Sequence, residues 1–320
     1  MYRIGIDLGG TNIAAGIVNE KFEIIAKDST PTLAHERSSE EIVADMAKLC
    51  KKLIESANLT EADITSIGVV SPGVVDDQKG TVVRAYNLGF TNFPLVALLK
   101  KQINVPNIYI ENDANAAAWG EAIAGAAKGT NYSVMITLGT GVGGGIVENG
   151  KLYKSFNFAA GELGHMVIEV DGRPCSCGRR GCWETYSSAT GLIKTTQEKL
   201  DECKAQGRDT VMFKIVEERG KVTGRTAFDA MRQGDAAAKE VVDTYVKYLA
   251  SGLATIINFF QPEVLSIGGG ISNEGQFLLD LVTPLVHEQQ FGFGHFPSTE
   301  LRIAQLRNDA GIIGGAVLGM

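Results

Sequence analysis

His165, Cys175, Cys177 and Cys182 place one imidazole and three thiols in a single short stretch. Four such donors make a closed tetrahedral zinc set. Gly161, Gly164, Gly172, Gly178 and Gly181 lie in the same window and let the chain fold round an ion. The spacing differs from that of zinc fingers, so the case rests on the density of ligands. With all four positions taken by protein, the ion is expected to be structural. Glu162 precedes His165 by three residues, and Glu184 follows Cys182 by two. The metal would pin these two carboxylates near each other, and carboxylates accept hydrogen bonds from vicinal hydroxyls, as a sugar offers.

Two glycine loops point to phosphate. Asp7-Leu8-Gly9-Gly10-Thr11 joins two strands, and successive amides in such a turn form an anion-binding concavity. Thr11 adds a hydroxyl donor, and Asp7 is suited to a magnesium ion, directly or through water. The second loop holds Gly139, Thr140 and Gly141. Gly139, Gly141 and Gly144 also fit the dinucleotide pattern G-x-G-x-x-G. That reading fails, because the pattern needs a following helix, whereas Gly145-Ile146-Val147 leads to the hairpin signal Asn149-Gly150. No Gly-Lys-Ser/Thr follows either, so it is no Walker loop. One phosphate hairpin per lobe suggests a nucleotide clamped between lobes. Gly268-Gly269-Gly270, opening a helix, would let the backbone approach an adenosine. Asn112-Asp113 follows a strand and precedes a helix. Asp113 reads as an N-cap, and a helix N-terminus keeps a carboxylate ionised, ready to accept a proton from an attacking hydroxyl.

The elements that must position these groups repeat. Ile4 to Glu20 is a strand, a glycine turn and a second strand, and Val134 to Gly150 repeats it, Gly16-Ile17-Val18 answering to Gly145-Ile146-Val147. The extent of the match indicates duplication. Ile42, Met46, Leu49 and Leu53 fall at helical spacing, with Cys50 on or near that face. Strands are expected over Ile64 to Val70 and Asn107 to Glu111, then a helix from Ala114 to Ala127. Residues 201–225 read as a loop-helix excursion. Asp235 caps a helix running to Phe260, stopped by Pro262, and a last helix spans about Asp309 to Leu318. The chain has 320 residues and a net charge of −7. Two domains suit that length, and the acidic balance argues against a broad nucleic-acid footprint. No apolar run reaches membrane-spanning length. An odd count of five cysteines without a secretory signal reads as reduced thiols or a metal site in the cytoplasm.

Taken together, Asp7-x-Gly-Gly-Thr11, Ser71-Pro-Gly73, Glu111-Asn-Asp113, Gly139-Thr-Gly-x-Gly-Gly-Gly145, Gly161-Glu-x-Gly-His165 and Cys175-x-Cys-Gly-x-x-Gly-Cys-x-Glu184 resemble the ROK family of sugar kinases and repressors, over essentially the whole chain. The likeness is greatest to its bacterial glucokinase branch. It implies an α/β, actin-like (ribonuclease H-like) duplicated ATPase fold of two lobes with a cleft between. The small lobe would take 1–115 plus about 302–320, and the large lobe 116–301 with the zinc loop. By this resemblance Asp113 is the general base, and Gly73, Asn87, Asn112, Asp113, Glu162, His165 and Glu184 contact the sugar. His165 would use the ring nitrogen that zinc does not take. Asp7, Gly9, Gly10, Thr11, Gly139, Thr140, Gly141, Gly268, Gly269 and Gly270 would hold ATP with Mg2+. A homodimer or homotetramer is implied, with no nucleic acid or membrane as partner.

The implied activity is phosphorylation of glucose at the 6-hydroxyl. An N-acetylhexosamine, mannose or fructose is the alternative substrate. A sugar-sensing repressor would want a helix-turn-helix module ahead of the ATPase core, and only three residues precede the Ile4–Asp7 strand. An actin-type switch without chemistry leaves the zinc-pinned glutamates unexplained.

Overall fold

The computed structural model describes residues 1–320. The first half of the chain runs Tyr2–Leu8 (β1), Asn12–Val18 (β2), Ile24–Pro31 (β3), Ser39–Ser56 (α1), Ile64–Ser71 (β4), Val74–Asp76 (β5), Thr81–Ala85 (β6), Phe90–Phe93 (β7), Leu95–Lys100 (α2), Asn107–Asn112 (β8) and Asp113–Ala124 (α3). It continues through Ser133–Leu138 (β9), Val142–Glu148 (β10), Lys151–Leu152 (β11), Glu184–Ser187 (α4), Ala189–Gln206 (α5), Val211–Arg219 (α6), Thr226–Arg232 (α7), Ala236–Phe260 (α8), Val264–Gly268 (β12), Gln276–Gln289 (α9), Glu300–Ile303 (β13) and Ala310–Ala316 (α10). No helix is long and apolar enough to cross a membrane.

The duplication is visible in topology. One five-stranded sheet has the order β3-β2-β1-β4-β8, and the other β11-β10-β9-β12-β13. Each therefore begins with a hairpin meander and adds later strands beside the first strand of that hairpin. In the first sheet β1 pairs antiparallel with β2 and parallel with β4, and β4 pairs parallel with β8. The centres of β1 and β4, Ile4-Gly5-Ile6 and Ile67-Gly68-Val69-Val70, are apolar and buried, as in strands covered on both faces. A three-stranded sheet, β5-β6-β7, is separate.

The chain divides into two compact units. One comprises Met1–Met135, Gly145–Gly161 and Gln305–Met320, and the other Ile136–Gly144 and Glu162–Ala304. The boundary expected near residue 115 thus moves. The whole of α3 lies in the first unit, because Trp119 and Ala122 form a cluster with Val147 of β10 and Val317. The Trp119 indole also donates to the Val317 carbonyl at 2.9 Å.

Helix ends follow local chemistry. Ser38 and Glu41 close a capping box at the start of α1, whose Ile42, Met46, Leu49, Cys50 and Leu53 are all buried. Burial pushes the Cys50 thiol up to about 12, so it is inert. Asp235 caps α8 by accepting from the Ala238 amide at 2.7 Å. Three expectations shift. The alanine-rich helix stops at Ala124 rather than Ala127, because Gly125 breaks it and the Glu121 carboxylate takes the Ala126 amide. Residues 201–206 continue the long helix α5, and 211–219 form α6. The last helix is shorter than expected, starting at Ala310 after a 3-10 turn.

The C-terminal helix rests on the first sheet with backbone against backbone. A Cβ at Gly5 would run into the Ile312 carbonyl, and one at Gly68 into the Gly315 carbonyl. Backbone has no rotamer with which to move aside. Gly68→Ala is therefore expected to cost about 1–3 kcal/mol, the usual range for overpacking. Urea unfolding checks this, and an unchanged midpoint would contradict the packing described.

Candidate functional site

In the first unit, Asn112 and Asp113 sit where β8 passes into α3. The expected N-cap is displaced by one residue. Asn112 is the cap, its Oδ1 accepting from the Ala114 and Asn115 amides at 2.9 and 3.2 Å. Its Nδ2 donates to the Gly73 carbonyl at 2.9 Å, which ties the Ser71-Pro-Gly73 turn to the helix start. Asp113 is the first helical residue, and its Oδ1 accepts from the Ala114 amide at 2.8 Å. It is solvent-exposed over part of its surface, yet enough protein surrounds the carboxyl for burial to raise its pKa, against the Ala114 amide and the Asn112 side chain. Burial also raises Asp7, the Asp113 charge raises it further, and Lys27 opposes both.

The first glycine turn is braced from both sides. The Gly9 amide donates to the Asn12 carbonyl at 2.9 Å, and the Thr32 hydroxyl donates to the Gly9 carbonyl at 2.7 Å. Gly10 packs against Asn87, which is exposed in the Tyr86–Leu88 turn. Thr11 is exposed.

Sequence reasoning assigned no role to Glu111 and did not find Lys154. Glu111 is buried. Its Oε1 accepts from the Asn112 amide at 2.9 Å and from Asn115 Nδ2 at 3.1 Å. Its Oε2 faces the Lys154 ammonium at 2.6 Å, and Lys154 also pairs with Asp77 at 2.5 Å. Burial works against this ammonium, but the two carboxylates outweigh it and raise its pKa. One cation thus joins the turn after β5, the end of β8 and the segment after β11. Glu111 adjoins the Asn112-Asp113 motif and so was findable. Lys154 carried no local signal, since its partners are distant in sequence.

The second unit carries the metal cluster. The ligand atoms of His165, Cys175, Cys177 and Cys182 all lie within 4.8 Å of one another. Cys177 and Cys182 sulfurs are 3.6 Å apart, and Cys175 Sγ is 3.7 Å from His165 Nδ1. A tetrahedral zinc with bonds near 2.3 Å spaces its sulfurs about 3.8 Å apart, so the donor set fits that ion. The Arg179 amide leads in pulling the Cys177 thiol down to about 6, while burial pushes Cys182 up to about 12. His165 Nε2, the nitrogen turned away from the sulfurs, is 3.8 Å from Glu162. Glu184 Oε1 is 3.8 Å from Cys175 Sγ. Both glutamates therefore flank the cluster, one on its imidazole side and one on its thiol side. Trp183, fully buried, anchors the loop to α8. Its indole donates to the Tyr248 carbonyl at 2.9 Å and fills the space that a side chain at Gly252 would need.

The second glycine turn is held by its neighbours in the same unit. Glu184 Oε2 accepts from the Val142 amide at 2.9 Å. The Ala189 amide donates to the Gly139 carbonyl, and the Thr190 hydroxyl to the Thr140 carbonyl, both at 2.8 Å. Gly269 packs on the Leu138 backbone. The three glycines 268–270 open a 3-10 turn rather than a helix directly, and α9 starts only at Gln276. A cavity of about 440 Å3 adjoins the turn, lined among others by Thr140, Gly141, Arg173, Ser188, Thr190 and Lys194.

The family model described as the ROK family matches residues 3–319. The chain belongs to the ROK family. A ROK glucokinase from Streptomyces griseus, solved in complex with glucose and AMPPNP, is 32% identical, with 99% of each chain covered and a TM-score of 0.80. The glucokinase of Halalkalibacterium halodurans is 37% identical over 98% of this chain and 94% of its own. The xylose repressor of Caldicellulosiruptor bescii is 28% identical, over 97% of this chain but 76% of its own. ROK sugar kinases have the actin-like ATPase fold with two lobes, and the paired strand orders of the two sheets here are that duplication.

Lys154→Met would leave a buried carboxylate without its cation. Breaking a buried pair costs about 3–5 kcal/mol. With Lys154 27% exposed, a loss of about 2–3 kcal/mol is expected in thermal or urea melts. Adding Glu111→Gln should restore much of it, since the stranded charge is then gone. A single variant as stable as the wild type would refute the pairing.

Proposed function

We propose that this chain is an ATP-dependent hexose kinase that phosphorylates glucose at its 6-hydroxyl. The observation that carries the reading is Asp113. It is a carboxylate at a helix start, relieved of capping by Asn112 and paired with no cation. The likeness to a kinase bound to glucose and AMPPNP supports the substrate pair.

Asp113 accepts the proton of the 6-hydroxyl as that oxygen bonds to the γ-phosphorus and the bond to the β-phosphate bridge breaks, releasing ADP. The transition state of phosphoryl transfer is loose, so orientation counts for more than base strength. Gly73, Asn87 and Asn112 in the first unit, and Glu162, His165 and Glu184 in the second, offer the acceptors and donors that sugar hydroxyls need. Thr11 with Gly9 and Gly10, and Thr140 with Gly139, Gly141 and Gly268 to Gly270, offer amides and hydroxyls to the nucleotide. Asp7 would hold Mg2+, which neutralises phosphate charge. His165, Cys175, Cys177 and Cys182 would hold a structural zinc, which would keep Glu162 and Glu184 in place.

A coupled ADP-release assay over hexoses and N-acetylhexosamines tests the activity. Glucose should give the highest kcat/KM, and no turnover with any sugar would end the proposal. Asp113→Asn keeps the size and the hydrogen bond from Ala114 but takes no proton. It should lower kcat by about 10²–10⁴-fold with a smaller change in sugar affinity. The wild-type kcat should fall on the acid side at a pH above 3.8, the ordinary value, because burial raises this carboxyl. Near-normal turnover by the Asn variant would remove Asp113 from the chemistry.

Metal analysis of purified protein should find about one zinc per chain. Cys177→Ser should lose the metal and weaken glucose binding together. Metal-free protein with undiminished glucose affinity would sink the structural role.

A further inference from the structure

The neighbours of Asp113 form a closed ring of hydrogen bonds around it. Glu111 Oε1 accepts from the Asn112 amide at 2.9 Å, Asn112 Oδ1 accepts from the Asn115 amide at 3.2 Å, and Asn115 Nδ2 donates back to Glu111 Oε1 at 3.1 Å. The Asp113 carboxylate is not a member, and its Oδ1 accepts from the Ala114 amide at 2.8 Å. Two side chains tie the ring outward to the rest of the first unit. Asn112 Nδ2 donates to the Gly73 carbonyl at 2.9 Å, and Glu111 Oε2 meets the Lys154 ammonium at 2.6 Å. Lys154 is placed in turn by what surrounds it. Asp77 holds the ammonium at 2.5 Å, and the Tyr153 amide, donating to the Ile146 carbonyl at 2.8 Å, sets where the lysine stem begins.

We propose that Lys154 is a positioning residue for phosphoryl transfer, holding Asp113 in its reactive orientation through the Glu111 carboxylate. This rests on the reading of Asp113 as the proton acceptor. Geometry is the first reason. A carboxylate turns about its last carbon–carbon bond, and Glu111 Oε1 serves donors on both sides of Asp113 only while Oε2 is pinned. Energetics is the second. The Glu111 side chain is 4% exposed, and a buried ion pair adds little net stability over well-packed apolar residues. What the pair offers beyond an apolar contact is a fixed direction. Placement is the third. An ammonium set directly on Asp113 would occupy the oxygen that takes the proton and would favour its ionised form. Set on Glu111 instead, two positions back, the cation fixes the frame and leaves that oxygen free. Transfer chemistry is sensitive to such placement, since a displacement of about 1 Å can cost about 10²-fold in rate.

Steady-state kinetics and amide hydrogen exchange on the full chain test the proposal. Lys154→Met should lower kcat by about tenfold or more, with KM for ATP and for glucose changed by no more than about threefold. Lys154→Arg keeps the charge, and its fork suits two carboxylates, so it should recover most of that kcat. The double variant, Lys154→Met with Glu111→Gln, separates positioning from stability. It should melt nearly as the wild type does, since no charge is stranded, yet keep the low kcat, since nothing then orients the side chain at position 111. A kcat that returns together with the melting transition overturns the proposal. So does a folded Lys154→Met protein with normal kcat. Hydrogen exchange gives a readout free of catalysis. The amides of Asn112, Ala114 and Asn115 should exchange about tenfold faster or more in both variants that carry Lys154→Met, while the amides of α1 in the double variant keep wild-type rates. If the wild type turns over no sugar, the kinase reading fails and exchange alone decides. Unchanged exchange at those three amides overturns the positioning role. Should Lys154→Met not fold, Lys154→Arg and the double variant carry the same comparison.

Discussion

No side chain fits at positions 5 and 68, and the first unit is organised by that fact. The C-terminal helix lies so close to β1 and β4 that carbonyl oxygens of Ile312 and Gly315 take the space where Cβ atoms would stand. Gly314 likewise packs its backbone onto the Ala116 carbonyl of α3. One short helix thereby packs on the sheet whose strand β1 carries Asp7 and on the helix that begins with Asp113. Gly311 sits directly against the Asp7 carboxyl. The segment most distant in sequence from the first glycine turn therefore determines what surrounds that turn's acidic residue.

The second unit solves the same problem by different means. Its Glu162–Glu184 loop has little regular structure. Trp183 ties it to α8 at one point, and the four metal-type donors close it at another. Glu184 belongs to both systems, since one oxygen approaches Cys175 and the other holds the Val142 amide at the glycine turn. The cluster and the glycine turn thus share contacts with a single side chain.

What the sequence disclosed and what it withheld divide along a physical line. Local patterns were legible. The hairpins, the periodic face of α1, the cap at Asp235 and the Cys–His cluster each depend on residues within one short stretch of chain. The duplication was legible because it repeats a local pattern. Boundaries set by tertiary contact were not. Nothing near residue 115 says that α3 packs with Val147 and Val317, so the division between units was drawn too early. The pairing of Lys154 with Glu111 and Asp77 was equally hidden, because charged residues are common and only the fold selects partners. The orientation of the rings after α9 was not legible: Phe291 and Phe293 alternate with glycine and Phe296 follows His295, and whether such rings point inward or outward is decided by packing.

The acids around the end of β8 show why identity alone does not assign a base. Glu111, Asp113 and Asp7 all belong to the first unit. Glu111 is the most buried of the three and has the most partners: one ammonium, one backbone amide and one side-chain amide. Together they leave it no free oxygen for a substrate hydroxyl. Asp7 is turned against Gly311 and carries the added cost of the Asp113 charge. Asp113 has one strong bond, to the amide of the next residue, and no cation. It can stay so sparsely engaged only because Asn112 takes the capping duty that an aspartate at this point would otherwise perform. Asn112 holds the helix start and the Gly73 turn, and Asp113 is left with an oxygen to offer. The adjacent pair therefore divides between two residues what neither could do alone: an amide supplies the donors and acceptors that fix the geometry, and a carboxylate supplies the place for a proton.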